Sequence, residues 1–176
     1  MASQQIIFAG FGGQGILSMG KFLAYAGMDA NLNVSWLPSY GPEMRGGTAN
    51  CSVILTDEGI GSPIVTKADS IVVMNRPSLE KFEDMAEANG LIVLDSDLVD
   101  VMPTRTDLDV IAIPAQTIAQ ELGSKTIANM VLLGALVKKT GIVSIEALLE
   151  SLRAHGKEKF FEVNKKAIER GIEFVK

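Results

Sequence analysis

The sequence predicts an α/β fold: a Rossmann-like three-layer sandwich with a mostly parallel central sheet and a helical C-terminal third. Three observations lead there. Short apolar runs alternate with longer amphipathic stretches, and a run apolar at every position suits a strand buried on both faces. A glycine-rich turn joins the first such run to the first amphipathic stretch. From residue 114 onward only helical periodicity is visible. At 176 residues the chain fits one domain spanning residues 1–176.

Taken in order, residues 5–9 read as the first strand, because Ile6, Ile7, Phe8 and Ala9 are continuous rather than alternating. Residues 15–30 follow as a helix with Ile16, Met19, Leu23 and Ala26 on one stripe. Strands are expected at 32–37, 48–55, 71–74, 91–94 and 110–113. A helix at 77–88 opens on Pro77, a residue that suits a first turn. Four further helices are expected at 114–122, 126–139, 144–154 and 158–174, the third capped by Ser144. Residues 38–47 show no helical periodicity, so the second and third strands are expected to be joined by a functional loop, leaving one pair antiparallel.

Composition narrows the function classes. The hydrophobic fraction is 47% and the charged fraction 21%. A deeply buried parallel sheet accounts for this balance, and so does apolar surface that meets another protein. The net charge of −5, with no dense Lys/Arg run, gives no footprint for nucleic acid. The longest apolar runs fall short of the ~20 residues that span a bilayer. No basic segment leads into an apolar one at the start, so a cytoplasmic protein is expected. One cysteine, Cys51, and one histidine, His155, are too few for a four-thiolate cluster or a structural zinc site. Cys51 lies in an apolar run and reads as a core thiol. His155 precedes Gly156 at an expected helix end, where a cationic side chain suits the dipole.

Directly after the first strand comes Gly10-Phe11-Gly12-Gly13-Gln14-Gly15, a G-x-G-x-x-G turn between strand and helix. Its glycines permit a tight turn, and amides at a helix N-terminus suit a phosphate. A dinucleotide site also wants an acidic residue at the end of the second strand, and Val34-Ser35-Trp36-Leu37-Pro38 offers none. An ordinary NAD site is therefore disfavoured. Residues 15–22 satisfy G-x-x-x-x-G-K but continue with Phe22, which lacks the hydroxyl that a P-loop needs for magnesium. The loop either binds a phosphate-bearing cofactor or is a packing turn with no ligand.

A second segment, Ser39-Tyr40-Gly41-Pro42-Glu43-Met44-Arg45-Gly46-Gly47, fixes an irregular backbone with three glycines and a proline. Tyr40, Glu43 and Arg45 give it polar ends and Met44 an adaptable apolar one. If both loops leave the carboxyl edge of the sheet, where ligands commonly bind, they lie near each other. The plain alternative is a solvated loop with an Arg–Glu pair, worth little at a surface.

These two loops, at this spacing, together with Asn129 and the following Gly134-Ala135-Leu136, resemble the gamma subunit of 2-oxoacid:ferredoxin oxidoreductases over essentially the whole chain. The resemblance implies an accessory subunit of a complex that oxidatively decarboxylates a 2-oxoacid, with 2-oxoglutarate the favoured type, to its acyl-CoA. It implies that thiamine diphosphate with Mg and the 4Fe–4S clusters lie on alpha, beta and ferredoxin-like delta partner subunits, with ferredoxin or another acceptor taking the electrons. It further implies that Gly10, Gly12, Gly13, Gln14 and Gly15 present amides near coenzyme A and that Lys21 supplies charge to a phosphate. Ser39, Tyr40, Gly41, Pro42, Glu43, Met44, Arg45, Gly46, Gly47 and Asn129 would then shape the mouth of a neighbouring thiamine site or lock a subunit contact. Two other readings stay open: a stand-alone nucleotide-binding Rossmann oxidoreductase, and a purely structural subunit.

Overall fold

A computed structural model describes residues 2–39 and 48–176. Six strands form one sheet: β1 (Ser3–Phe11), β2 (Asn33–Pro38), β3 (Thr48–Thr56), β4 (Ala68–Val73), β5 (Ala86–Asp95) and β6 (Asp109–Ile113). Six α-helices accompany them: α1 (Ile16–Asp29), α2 (Arg76–Phe82), α3 (Ala115–Glu121), α4 (Ala128–Thr140), α5 (Ile145–His155) and α6 (Glu158–Ile172). The α/β sandwich and the helical C-terminal third agree with the sequence.

The strand order is β2-β3-β1-β4-β5-β6. β1 pairs in parallel with β4, β4 with β5, and β5 with β6. β3 is antiparallel to both of its neighbours, β1 and β2. Two pairs are therefore antiparallel where the sequence suggested one. The reason is positional: β3 inserts between β2 and β1. β1 and β2 consequently point the same way.

β1 is buried on both faces, as its unbroken apolar run requires: Ile6 and Phe8 belong to one core, Ile7 and Ala9 to the other. The larger core lies under α1 and α3–α6, the smaller under α2 together with Val65, Val99 and other side chains of the connecting segments. α4 has ten consecutive buried residues from Ala128 to Val137, because the sheet lies on one side of it and α6 on the other. α6 packs outside α4, adding a local outer layer to the sandwich.

Two glycines set that approach. A Cβ on Gly134 would meet the backbone of Ile168, and one on Gly171 would meet the carbonyl of Val131. The two helix backbones thus come closer than side chains ordinarily allow.

The helix expected at 77–88 is shorter. Asn75 caps it by accepting from Ser78 N at 2.8 Å, and it ends at Phe82, followed by a 3₁₀ turn at Glu83–Met85. Ala86 then pairs with Ala68 of β4, so ladder pairing overrides a locally helix-compatible sequence.

Replacing Gly171 with Ala forces α6 off the Val131 carbonyl and should cost about 1–3 kcal/mol, read as a lower urea midpoint. A Cβ on Gly59 meets nothing within 4 Å, so Gly59→Ala should change stability by no more than about 0.5 kcal/mol, leaving the midpoint nearly where it was.

Candidate functional site

The glycine loop leaves the carboxyl end of β1 and opens α1. Gly13 and Gly15 take φ values of 90° and 76°, a left-handed backbone that residues with a Cβ rarely adopt. Gln14 folds back over the turn: its Oε1 accepts from Phe11 N at 2.6 Å, and its Nε2 donates to Met74 O at 3.3 Å. This side chain therefore ties the ends of β1 and β4 together; it is a brace for the loop, and the amides around it are the groups left to face a ligand.

Gly15 is the N-cap of α1, with no side chain capping the helix and no acidic residue in its first turn. The first N–H groups of such a helix have no intrahelical partner and carry the positive end of its dipole. They border a groove of about 340 Å³ lined by Phe11, Gly12, Gly13, Gly15, Ile16, Leu17, Ser18 and Ala49. An anionic oxygen fits the chemistry of this helix end.

Asn129, singled out in sequence by resemblance, is brought to this loop from 114 residues away. Its Nδ2 donates to the Gly15 carbonyl at 3.2 Å, and the side chain is buried. A Cβ on Gly15 would collide with the Asn129 amide, so glycine is required there for contact as well as for backbone angle. Asn129 supports the loop from behind.

Lys21 is placed apart from the loop. It lines a separate groove of about 440 Å³ between α1 and β2, with Ala24, Tyr25, Met28, Leu32, Asn33, Val34 and Trp36. Its Nζ lies 6.0 Å from the Tyr25 ring centroid. Tyr25 in turn stacks on His155, with centroids 3.6 Å apart and planes 8° from parallel.

Ser39 follows β2 and donates its N–H to Asn50 O at 2.9 Å. Since β1 and β2 point the same way, Ser39 lies at the same sheet edge as the glycine loop. Tyr40, Gly41, Pro42, Glu43, Met44, Arg45, Gly46 and Gly47 lie outside the described residues.

One residue at this edge went unnoticed in the sequence. Asp95 closes β5, is buried, and accepts from Asp97 N, Ala115 N and Gln116 Nε2 at 3.1, 3.2 and 2.9 Å. Burial raises its pKa above the usual carboxylate range. It fastens the start of α3 to the sheet. The signal available was an acid closing the apolar run Leu91-Ile92-Val93-Leu94. Among the described residues, no group of three or more His, Cys, Asp or Glu is arranged to hold a metal ion.

Cys51 is a core thiol, as expected. It is fully buried, contacts the Ile16 carbonyl at 3.6 Å, and burial pushes its pKa up to about 12. The folded protein should resist thiol reagents at pH 8, and labelling should appear only as urea unfolds it. The unfolded thiol ionises near about 8.5. The unfolded chain therefore loses this proton first, and Cys51 should make stability fall as pH rises above that value. Asn129→Ala removes the bond to the Gly15 carbonyl and should lower stability by about 1 kcal/mol, with faster hydrogen exchange at the start of α1 as its local signature.

Comparison with known proteins places this geometry. The model for the pyruvate ferredoxin/flavodoxin oxidoreductase family matches residues 5–174. The ketoisovalerate oxidoreductase subunit VorA of Methanothermobacter marburgensis is 37% identical over 98% of this chain, which spans only 36% of VorA. Among solved structures, the gamma subunit of a keto/oxoacid ferredoxin oxidoreductase from Geobacter sulfurreducens superposes with a TM-score of 0.89 at 31% identity, covering 98% of this chain and 96% of that one. The 2-oxoglutarate:ferredoxin oxidoreductase of Magnetococcus marinus, solved with 2-oxoglutarate, coenzyme A and succinyl-CoA bound, superposes at 0.87 and 27% identity over 99% of this chain and 31% of that one. A glycine loop at the carboxyl sheet edge, the Asn129 brace and a family match across nearly the full length together lead to one conclusion: the chain belongs to the pyruvate ferredoxin/flavodoxin oxidoreductase family, in its gamma-subunit form.

Proposed function

We propose that this chain is the accessory gamma subunit of a cytoplasmic, thiamine-diphosphate-dependent 2-oxoacid:ferredoxin oxidoreductase, and that its glycine loop helps to bind or enclose coenzyme A. The observation that carries the coenzyme A role is the uncapped N-terminus of α1, opening on a groove built from glycine backbone. Coenzyme A presents phosphates, and a helix end without a competing carboxylate favours them. That the Magnetococcus relative was solved with coenzyme A bound supports the same choice of ligand.

Within this proposal the chain's own groups orient and enclose; they do not carry out redox chemistry. The amides of the loop at Gly12, Gly13 and Gly15 hold a phosphate oxygen; the Gln14 N–H, expected among them, is instead donated to Phe11 O at 3.3 Å and closes the turn. Gln14 and Asn129 keep those amides in place. In this proposal the ligand extends from the loop to the separate groove lined by Lys21, whose charge meets a further phosphate there. Arg45, with a guanidinium suited to bidentate pairing, meets a carboxylate of a partner subunit or of the substrate. The thiamine diphosphate, its Mg and the 4Fe–4S clusters belong to the alpha, beta and delta partners, and the electrons leave to ferredoxin or a similar acceptor. 2-Oxoglutarate is the favoured substrate; the ketoisovalerate name of VorA marks a branched 2-oxoacid as the competitor to test against it.

The stand-alone dinucleotide-binding alternative loses ground on topology. In such a site the end of the second strand lies beside the glycine loop. Here β3 stands between β1 and β2, moving that end about 10 Å from the loop strand, which is two strand spacings.

Affinity purification of the tagged chain from its native cells without oxygen should bring down thiamine-binding and iron–sulfur subunits together with coenzyme A-dependent oxidation of a 2-oxoacid. A chain recovered alone and inactive would reject the accessory role. In the active complex, Lys21→Ala should raise KM for coenzyme A about tenfold, the loss of one charge-assisted contact, with KM for the 2-oxoacid unchanged. Equal KM values in variant and parent would remove Lys21 from the phosphate site.

A further inference from the structure

The groove between α1 and β2 holds more than a lysine. Val34 and Trp36 pack against the larger core yet stay half-buried, and Met28 on α1 is 59% exposed. The cause is the close approach of α1 to the sheet at two glycines. A Cβ on Gly20 would meet Cys51 Sγ and the Trp36 indole, and one on Gly27 would meet Leu55 and Val34. Lys21, Tyr25 and Met28, beside those glycines, form one wall of the groove, and Val34 and Trp36 of the edge strand form the other. Leu32 and Asn33 line its far end, where β2 begins, so the groove runs from the middle of α1 toward the amino edge of the sheet.

This lining suits a flat ring that carries negative charge at one end. Both aromatic side chains are held from behind. Tyr25 stacks on His155 at 3.6 Å, which takes one face of the ring and fixes it. The Trp36 indole nitrogen is buried beside the Cys51 thiol, so the indole is anchored at its polar edge while its apolar remainder lines the groove. Fixed aromatic surface of this kind is what nucleobases stack on. Lys21 is the lining residue nearest the glycine loop, six residues past Gly15 or about 9 Å along α1. Among the described residues no Asp or Glu lines the groove, although the chain has 21 acidic residues against 16 basic ones. At the far end the Asn33 Nδ2 donates to Glu58 O at 2.6 Å, which leaves its side-chain oxygen to accept from a ring amino group.

We propose that this groove binds the adenine ring of coenzyme A; the proposal rests on the coenzyme A role given above. The ligand's own phosphates join the two places. The loop amides hold one phosphate, Lys21 meets another farther along α1, and the ring enters between Tyr25, Trp36 and Met28 with its amino group toward Asn33. A purely apolar occupant would give Lys21 nothing to meet, whereas a nucleotide brings ring and charge together. The ligand's direction follows from the same placement. Its nucleotide end lies toward the amino edge of the sheet, and its pantetheine arm and thiol leave from the glycine loop at the carboxyl edge.

Trp36 is the one tryptophan of the chain, so its emission reports on this groove. Titration of the full chain with coenzyme A, or with adenosine bisphosphate, should quench that emission to saturation. Phosphopantetheine, which has the same arm and no adenine, should leave it unchanged. Tyr25→Leu should weaken both adenine-bearing ligands about tenfold, the usual scale of a stacking contact, and thermal melting confirms that the variant is folded. In the active complex, Trp36→Leu should raise KM for coenzyme A about tenfold while KM for phosphopantetheine stays at the parent value. Emission that coenzyme A leaves unchanged, or that phosphopantetheine quenches equally, overturns the adenine groove. KM values that rise together for both substrates in Trp36→Leu overturn it too, because the loss then lies outside the ring. Each of these results leaves the coenzyme A role of the glycine loop in place. A complex whose turnover needs no coenzyme A removes that role and this proposal with it.

Discussion

The central constraint is the burial of β1. Its residues Ile6, Ile7, Phe8 and Ala9 are enclosed by the two cores, and an apolar strand of this kind must be flanked by other strands and covered on both faces. β4 satisfies it on one side in parallel and β3 on the other in antiparallel register. The helices then occupy the faces so created. The carboxyl end of this best-buried strand is also where the glycine loop starts, so the loop inherits a rigid base. Gln14 anchors it to β4 and Asn129 to α4.

The insertion of β3 has a chemical consequence. It separates β1 from β2 and so removes the strand neighbourhood in which a dinucleotide's ribose would be held. It leaves intact the helix end that can hold an anion. The same insertion creates the β2–β3 flank, which lies beyond α2 and carries no charge.

Among the described residues, Cys51 is a buried thiol held far from ionisation and Asp95 is enclosed by three donors, while His155 is exposed and stacked on Tyr25. At the glycine loop itself the described groups are backbone amides, one hydroxyl and apolar side chains. Such groups can position and enclose a ligand.

The sequence alone determined the elements whose signals are local. Continuous apolar runs marked β1, β4 and the inner part of β5, helical stripes marked α1 and α4–α6, and glycines after β1 marked the loop, because each follows from backbone period or from a Cβ that cannot be tolerated. The solitary Cys51 was legible as core for the same reason. The tertiary structure decided what depends on residues far apart in the chain. It ended α2 early by pairing Ala86 with Ala68, and it placed β3 between β1 and β2. It made Gln14 and Asn129 braces and set Lys21 in a groove of its own. Strand order and cross-chain hydrogen bonds are set by which surfaces bury each other, and no local period or propensity encodes that choice.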